Sequence, residues 1–264
     1  MSAAARLRRT SLLVSLAVWL AGSAAAQSPD SVLARLEAPA YRTLRGSLRL
    51  EQSPAAVMGS VPSPEPARVT LIHVLLAPPD RYRIVVTAPI EQGDGMIQSD
   101  GVQTMMISSM LGQVAVGEAR PLGAVTRRDL ALTGAGGSLI LPLLLGLRHP
   151  LTERLLDEGE RSSGGTEEAG GAACDVVSLS LVRGGAPVRL RLAVDALGIA
   201  RRAEMQMASG EAEGIRFREE FVNLALGGPV SDEDFATPIP PNMARVPALD
   251  PERVRTAQAA SPER

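Results

Sequence analysis

Few residues in this sequence could do nucleophilic or metal chemistry, and they are poorly grouped. The 264-residue chain holds two histidines, His73 and His149, and one cysteine, Cys174. His73 falls in an alternating strand-like stretch and His149 before a proline, and neither has a His, Cys or carboxylate partner at metal-ligand spacing. Both read as exposed or satisfied histidines. Cys174 reads as a small buried hydrophobe at a strand start, and a single cysteine excludes an internal disulfide framework or a Cys-based zinc cluster. Gly134-Ala135-Gly136-Gly137-Ser138 is glycine-rich, but no lysine follows and no strand–helix frame surrounds it. It reads as a helix breaker, not a phosphate loop. Neither G-x-S-x-G nor H-E-x-x-H occurs. The adjacent carboxylates Glu167-Glu168, Glu219-Glu220 and Asp232-Glu233-Asp234 sit in loops or alternate across a strand, where solvated charges are the rule. The expectation is a binding protein and not an enzyme, with no cofactor and no metal.

Bulk composition narrows the partners. All 27 basic residues are arginine, against 29 carboxylates, and only three Phe, two Tyr and one Trp are present. A mildly acidic chain argues against nucleic acid or an anionic membrane as the main partner, and so few aromatics argue against stacking platforms for bases or sugars.

The N-terminus reads as a secretory signal peptide over residues 1–26. Arg6, Arg8 and Arg9 form a basic region, residues 11–20 an apolar core, and Ala24 and Ala26 the small residues before a cleavage site. The apolar run is about half the roughly 20 residues that a permanent span needs. The arginine pair leaves the general secretory and twin-arginine routes both open. No cysteine follows the apolar run, so no lipid anchor is expected. The mature chain should be soluble, extracytoplasmic or periplasmic, and monomeric.

Any site must be positioned by the elements that follow. Ser28-Pro29-Asp30 followed by the run at 32–38 reads as a short N-capped helix, with Val32, Leu33 and Leu36 on one side. Alternation of period two then marks strands at 44–52, 68–76, 81–88, 96–99, 103–108 and 113–118, with Asp100-Gly101 as the strongest hairpin signal. Residues 53–67 read as a mobile Pro-rich loop. The middle, at 122–132, 138–147 and 151–158, is helix-compatible, and 162–173 reads as a flexible linker. Strands return at 175–183, 187–195, 199–208 and 213–226, with Val188, Leu190, Leu192 and Val194 alternating against polar neighbours as in an antiparallel sheet with one wet face. This gives nine or ten antiparallel strands with a helical insertion. The fold class is α+β, mainly β, with helices covering the concave face of a curved antiparallel sheet.

Three stretches carry a family resemblance. They are Pro79-Asp80-Arg81-Tyr82-Arg83 with Ile97-Gln98-Ser99-Asp100-Gly101; Asp195-Ala196-Leu197-Gly198-Ile199; and Phe235-Ala236-Thr237-Pro238-Ile239-Pro240 near the C-terminus. In this order, after a signal peptide, they resemble the LolA/LolB superfamily of periplasmic lipoprotein carriers and their RseB-like relatives, over roughly residues 32–246. The resemblance implies a half-open barrel with a helical lid over an apolar cavity that holds acyl chains of lipoproteins or other lipids. It implies membrane-bound release or acceptor proteins as further partners. Carried onto this chain, the lining falls on Ile84, Val86, Met105, Ile107, Leu190, Leu192, Met205 and Met207. The lid, in a run whose apolar side either fills the cavity or yields to ligand, falls on Leu141, Leu144 and Leu145. Pro142 and Gly146 would let it bend. Taken without the resemblance, the methionines among them favour an ordinary packed core. The alternative role is an RseB-like sensor that binds a membrane-protein partner. The division expected is a signal peptide at 1–26, a lipid-binding domain at 27–247 and a disordered tail at 248–264.

Overall fold

A computed structural model describes residues 27–53, 67–88, 94–147, 150–209 and 212–252. Residues 1–26, where a signal peptide is expected, the bulk of the Pro-rich loop and His149 lie outside them.

Twelve strands form one open sheet in the order β12-β6-β5-β4-β3-β2-β1-β11-β10-β9-β8-β7. They are β1 (Leu44–Ser53), β2 (Arg68–Ala77), β3 (Arg81–Thr87), β4 (Gly95–Asp100), β5 (Gln103–Ser108), β6 (Gln113–Glu118), β7 (Glu160–Ala169), β8 (Ala172–Arg183), β9 (Ala186–Asp195), β10 (Ala200–Ser209), β11 (Ala212–Leu226) and β12 (Ala244–Val246). All neighbours are antiparallel except β12, which runs parallel to β6. The chain walks outward from β1 to β6, passes through the helices, and returns from β7 at the opposite edge to β11, which pairs with β1. The mainly β, α+β class expected from the alternation and the half-open form implied by the resemblance are the ones observed.

Among the described residues four α-helices accompany the strands: α1 (Pro29–Glu37) before β1, and α2 (Arg127–Leu132), α3 (Ile140–Leu144) and α4 (Pro150–Glu158) between β6 and β7. Their starts follow from local chemistry. Ser28 caps α1 by accepting a bond from the Ser31 amide, with Pro at the first turn, where its missing N–H costs nothing. Thr126 and Asp129 form a reciprocal capping box on α2, satisfying two donors the first turn leaves orphaned.

One core cluster joins residues of β1–β6 and β8–β11 to residues of all four helices. A single sheet face therefore wraps around the helices, which is what makes the sheet curved. On the other face, Met96, Met105, Ile107 and Val114 form a separate cluster beneath Ile239 and Met243 of the C-terminal segment. Arg81 lies 4.6 Å over the Phe235 ring and reaches Asp232, while Arg45 reaches Asp234, so that the same segment is clamped to β1 and β3.

Four sequence-based expectations need correction. Residues 162–173 are not a linker: they lie in the β7–β8 hairpin, turning at Gly170 and Gly171. Pairing with β8 organises a stretch whose own propensity is weak. Among the described residues the strands number twelve and not nine or ten, because β7 and the three-residue β12 carry no alternation of their own. Leu122–Ala124 is a 3-10 turn and not part of a continuous helix with α2. The expected tail is partly docked: Leu249 is buried, and the Gln113 side chain bonds the Asp250 backbone.

The β9–β10 turn shows why its sequence is so specific. Asp195 accepts from the Leu197 and Ile199 amides, and Gly198 sits at φ +78°. A Cβ there would stand 2.1 Å from the Arg35 carbonyl oxygen of α1, so both the turn and the α1 contact demand glycine.

Candidate ligand-binding interior

The concave face presents a continuous apolar floor. Ile84 and Val86 of β3 and Leu190 and Leu192 of β9 are buried in the helix-side core, as is Met205 of β10, and Met207 packs partly buried against it. Above them lies α3, with Ile140, Leu141 and Leu144 buried against the sheet and Leu145 just beyond its end. Nine of the eleven lining and lid residues expected from sequence thus share one interior. Met105 and Ile107 do not. They face the opposite side, under the C-terminal segment, and it is Met106 that faces the helices. In Met105-Met106-Ile107 every residue is buried, because this part of the sheet is covered on both faces, and periodicity alone cannot then assign a side.

Ile84, Val86, Leu141 and Leu192 are each 0% exposed, so among the described residues no water-sized space adjoins these four. Here α3 lies packed against the sheet, with its apolar side chains turned inward.

Two polar ties hold α3 in place. At its N-terminal end the Glu219 carboxylate of β11 accepts from Ser138 Oγ at 2.5 Å and from the Leu139 and Ile140 amides at 2.6 and 2.7 Å. Ser138 Oγ in turn accepts from the Leu141 amide. At the other end the Tyr41 hydroxyl donates to the Leu144 carbonyl at 3.4 Å. Burial pushes the Glu219 carboxyl above the usual range, opposed in part by these three donors. Burial likewise raises the Tyr41 phenol. Glu219 corrects the reading of the Glu219-Glu220 pair as solvated: Glu220 is on the wet face, but Glu219 is 0% exposed. The sequence carries the signal, since Glu219 alternates with Phe217 and Phe221 and so shares their face.

Beside α3 a crevice of about 520 Å³ opens between α1, α3 and α4, lined by Leu33, Leu36, Leu143, Leu147 and Leu156 and rimmed by Asp30, Asp157 and Arg161. Gly146, at φ +65°, ends α3 at this crevice, with open space where a Cβ would stand.

Chemistry beyond burial is sparse. His73 Nδ1 lies 2.8 Å from Ser47 Oγ on the outer face. Cys174 is buried, and desolvation pushes its thiol up to about 11. Among the described residues, no three His, Cys, Asp or Glu side chains come together as a metal site, and no helix is long and apolar enough to cross a membrane.

No protein-family model and no curated protein matches the chain. Similar solved structures do exist. MucB is 16% identical at a TM-score of 0.44, over 82% of this chain and 64% of that chain. A LolA superfamily protein from Nitrosomonas europaea is 9% identical at 0.30, over 80% and 99%. The Mycobacterium tuberculosis lipoprotein LppX is 12% identical at 0.33, over 77% and 99%. LolA-superfamily proteins are thus among the structures that resemble it, and the chain spans less than two thirds of the MucB chain.

Proposed function

We propose that the protein is a non-catalytic extracytoplasmic carrier that takes acyl chains, of lipoproteins or of free lipids, between the concave sheet face and α3. The observation that carries this reading is the construction of the lid. A five-residue apolar helix, flanked by Gly134, Gly136, Gly137 and Gly146, covers an apolar floor and is tied down by two side chains.

The magnitudes allow exchange. Baring Ile140, Leu141 and Leu144 costs about 1.5–3 kcal/mol each, roughly 5–9 in all, while an acyl chain regains about 0.8 kcal/mol per buried methylene. Some ten methylenes would therefore offset the opening of the lid. The crevice between α1, α3 and α4 supplies the route, since its leucines continue the apolar floor to the surface. Methionines at 205 and 207 suit guests of variable shape, because the thioether chain adapts to irregular surfaces.

The test is native mass spectrometry of mature protein purified without detergent, together with uptake of a fluorescent fatty acid. The carrier reading expects co-purifying acylated species that are lost in Leu144→Glu. Protein that is consistently empty and takes up no probe would overturn it. Stable capture of a membrane-protein domain with no exchange of cargo would mark the regulator instead.

A further inference from the structure

Among the described residues, Glu219 is a carboxyl group with no cation to balance it. On β11 its neighbours Arg218 and Glu220 point to the opposite face, where they pair with each other. Across the ladders it stands opposite Leu50 of β1 and Ala203 of β10. The flanking Arg49, Glu51, Arg202 and Glu204 are likewise turned to the outer face, in ion pairs there. The lid segment offers only Ser138, Leu139 and Ile140. Among the described residues, then, no charged or titratable side chain faces Glu219 from any element packed against it.

A charged group so placed is costly unless it is neutralised, and in the absence of a cation a carboxyl is neutralised by a proton. The geometry accommodates the acid. Oε2 accepts both lid amides, while Oε1 lies 2.5 Å from Ser138 Oγ and can direct a proton toward it. The donors that hold Glu219 out of water belong to the lid itself, so raising α3 removes them and admits solvent in one movement.

We propose that α3 closes over the sheet with a proton on Glu219 and opens by releasing it, which couples ligand uptake to proton release. This rests on the carrier reading, in which α3 is the part that moves. Its sign follows from burial. In the closed state Glu219 holds its proton to higher pH than the ordinary carboxylate value of 4.5, and in the open state it reverts to that value. Closure is therefore favoured below it, and opening gains with rising pH, by up to tenfold per pH unit, until the closed state too has lost its proton.

The experiment is amide hydrogen exchange of the mature protein between pH 5 and pH 8, with no ligand present, following residues 139–141 and 145. In the wild type, opening of these amides should rise with pH once intrinsic rates are removed, while amides in β9 and β10 do not follow. In Glu219→Gln the pH dependence should vanish. Opening that is independent of pH in the wild type, or that rises equally in Glu219→Gln, would overturn the proposal. Should Glu219→Gln fail to fold, carbon-13 detection of the wild-type glutamate carboxyls decides the question: Glu219 must titrate above the other glutamates, and an ordinary titration there sinks the coupling. Absence of fatty-acid uptake alongside a pH-dependent α3 would count against the carrier and leave the proton coupling standing.

Discussion

The Arg202 guanidinium stands 3.3 Å from the Glu167 carboxylate, and that contact closes a ring of charge. Arg202 also reaches Glu220 at 2.7 Å; Glu220 meets Arg218, Arg218 meets Glu204, Glu204 meets Arg191, and Arg191 returns to Glu167. Three arginines and three glutamates thus tie β7, β9, β10 and β11 together on the face away from the helices.

The ring predicts a modest, salt-sensitive and acid-sensitive contribution to stability. Glu167→Gln should cost about 0.5–1 kcal/mol, with the difference shrinking in 1 M salt. The hydrogen bond from Arg202 holds the Glu220 carboxyl down at about 2 against an ordinary 4.5. A carboxyl depressed in the folded state stabilises above its ordinary value and loses that contribution as pH falls toward about 2. Urea unfolding of wild type and Glu220→Gln should therefore differ at pH 7 and converge near pH 2.

The two faces of the sheet should separate in ligand binding. Met205→Ala, in the helix-side interior, should weaken fatty-acid probe binding by roughly fourfold for each methylene of the probe left unburied. Met105→Ala lies beneath Met243 on the other face and should leave probe affinity unchanged. Each should lower stability by about 2–5 kcal/mol, so probe titrations belong at a temperature where both variants are folded.

Cys174 should be inert. Its thiol is buried and raised to about 11 by desolvation first and by the Asp195 charge next. Since the thiolate is the reactive form, native protein should resist iodoacetamide at pH 8 and react fully once unfolded in urea. Mass spectrometry of the two samples reads the outcome directly.

Gly95 should tolerate no side chain. A Cβ there would lie 2.1 Å from the Thr133 carbonyl oxygen, where the end of α2 crosses β4. Backbone must move to admit it, so Gly95→Ala should lose about 1–3 kcal/mol. Gly117→Ala, with nothing within 4 Å of the added atom, should stay within about 0.5 kcal/mol of wild type. Thermal melts of the two variants compare them.

Legibility in the sequence tracks how much of the pattern is local. Val188, Leu190, Leu192 and Val194 alternate because one face of β9 is wet along part of its length, so the strand and its buried side are both readable. Asp100-Gly101 is readable because the turn needs its chemistry within four residues: Asp100 accepts from the Val102 and Gln103 amides. Met105 and Ile107 are misplaced by sequence because β5 is buried on both sides, by helices and by a segment over a hundred residues later in the chain. β7 escapes notice because its serines, glycines and glutamates acquire strand structure only from β8. Residue type alone puts Glu219 in solvent, whereas the face it shares with Phe217 and Phe221 puts it inside.

That same β7 forms one border of the sheet, and its composition governs how copies of this chain can meet. Along nearly its whole length the strand shows only charged groups, small polar groups and glycine, with its ladder slipping between Ser163 and Thr166. An incoming strand would find hydrogen bonds to make there but no grease to bury and an uneven track to follow. Runaway edge-to-edge growth of the sheet is thereby discouraged at this margin.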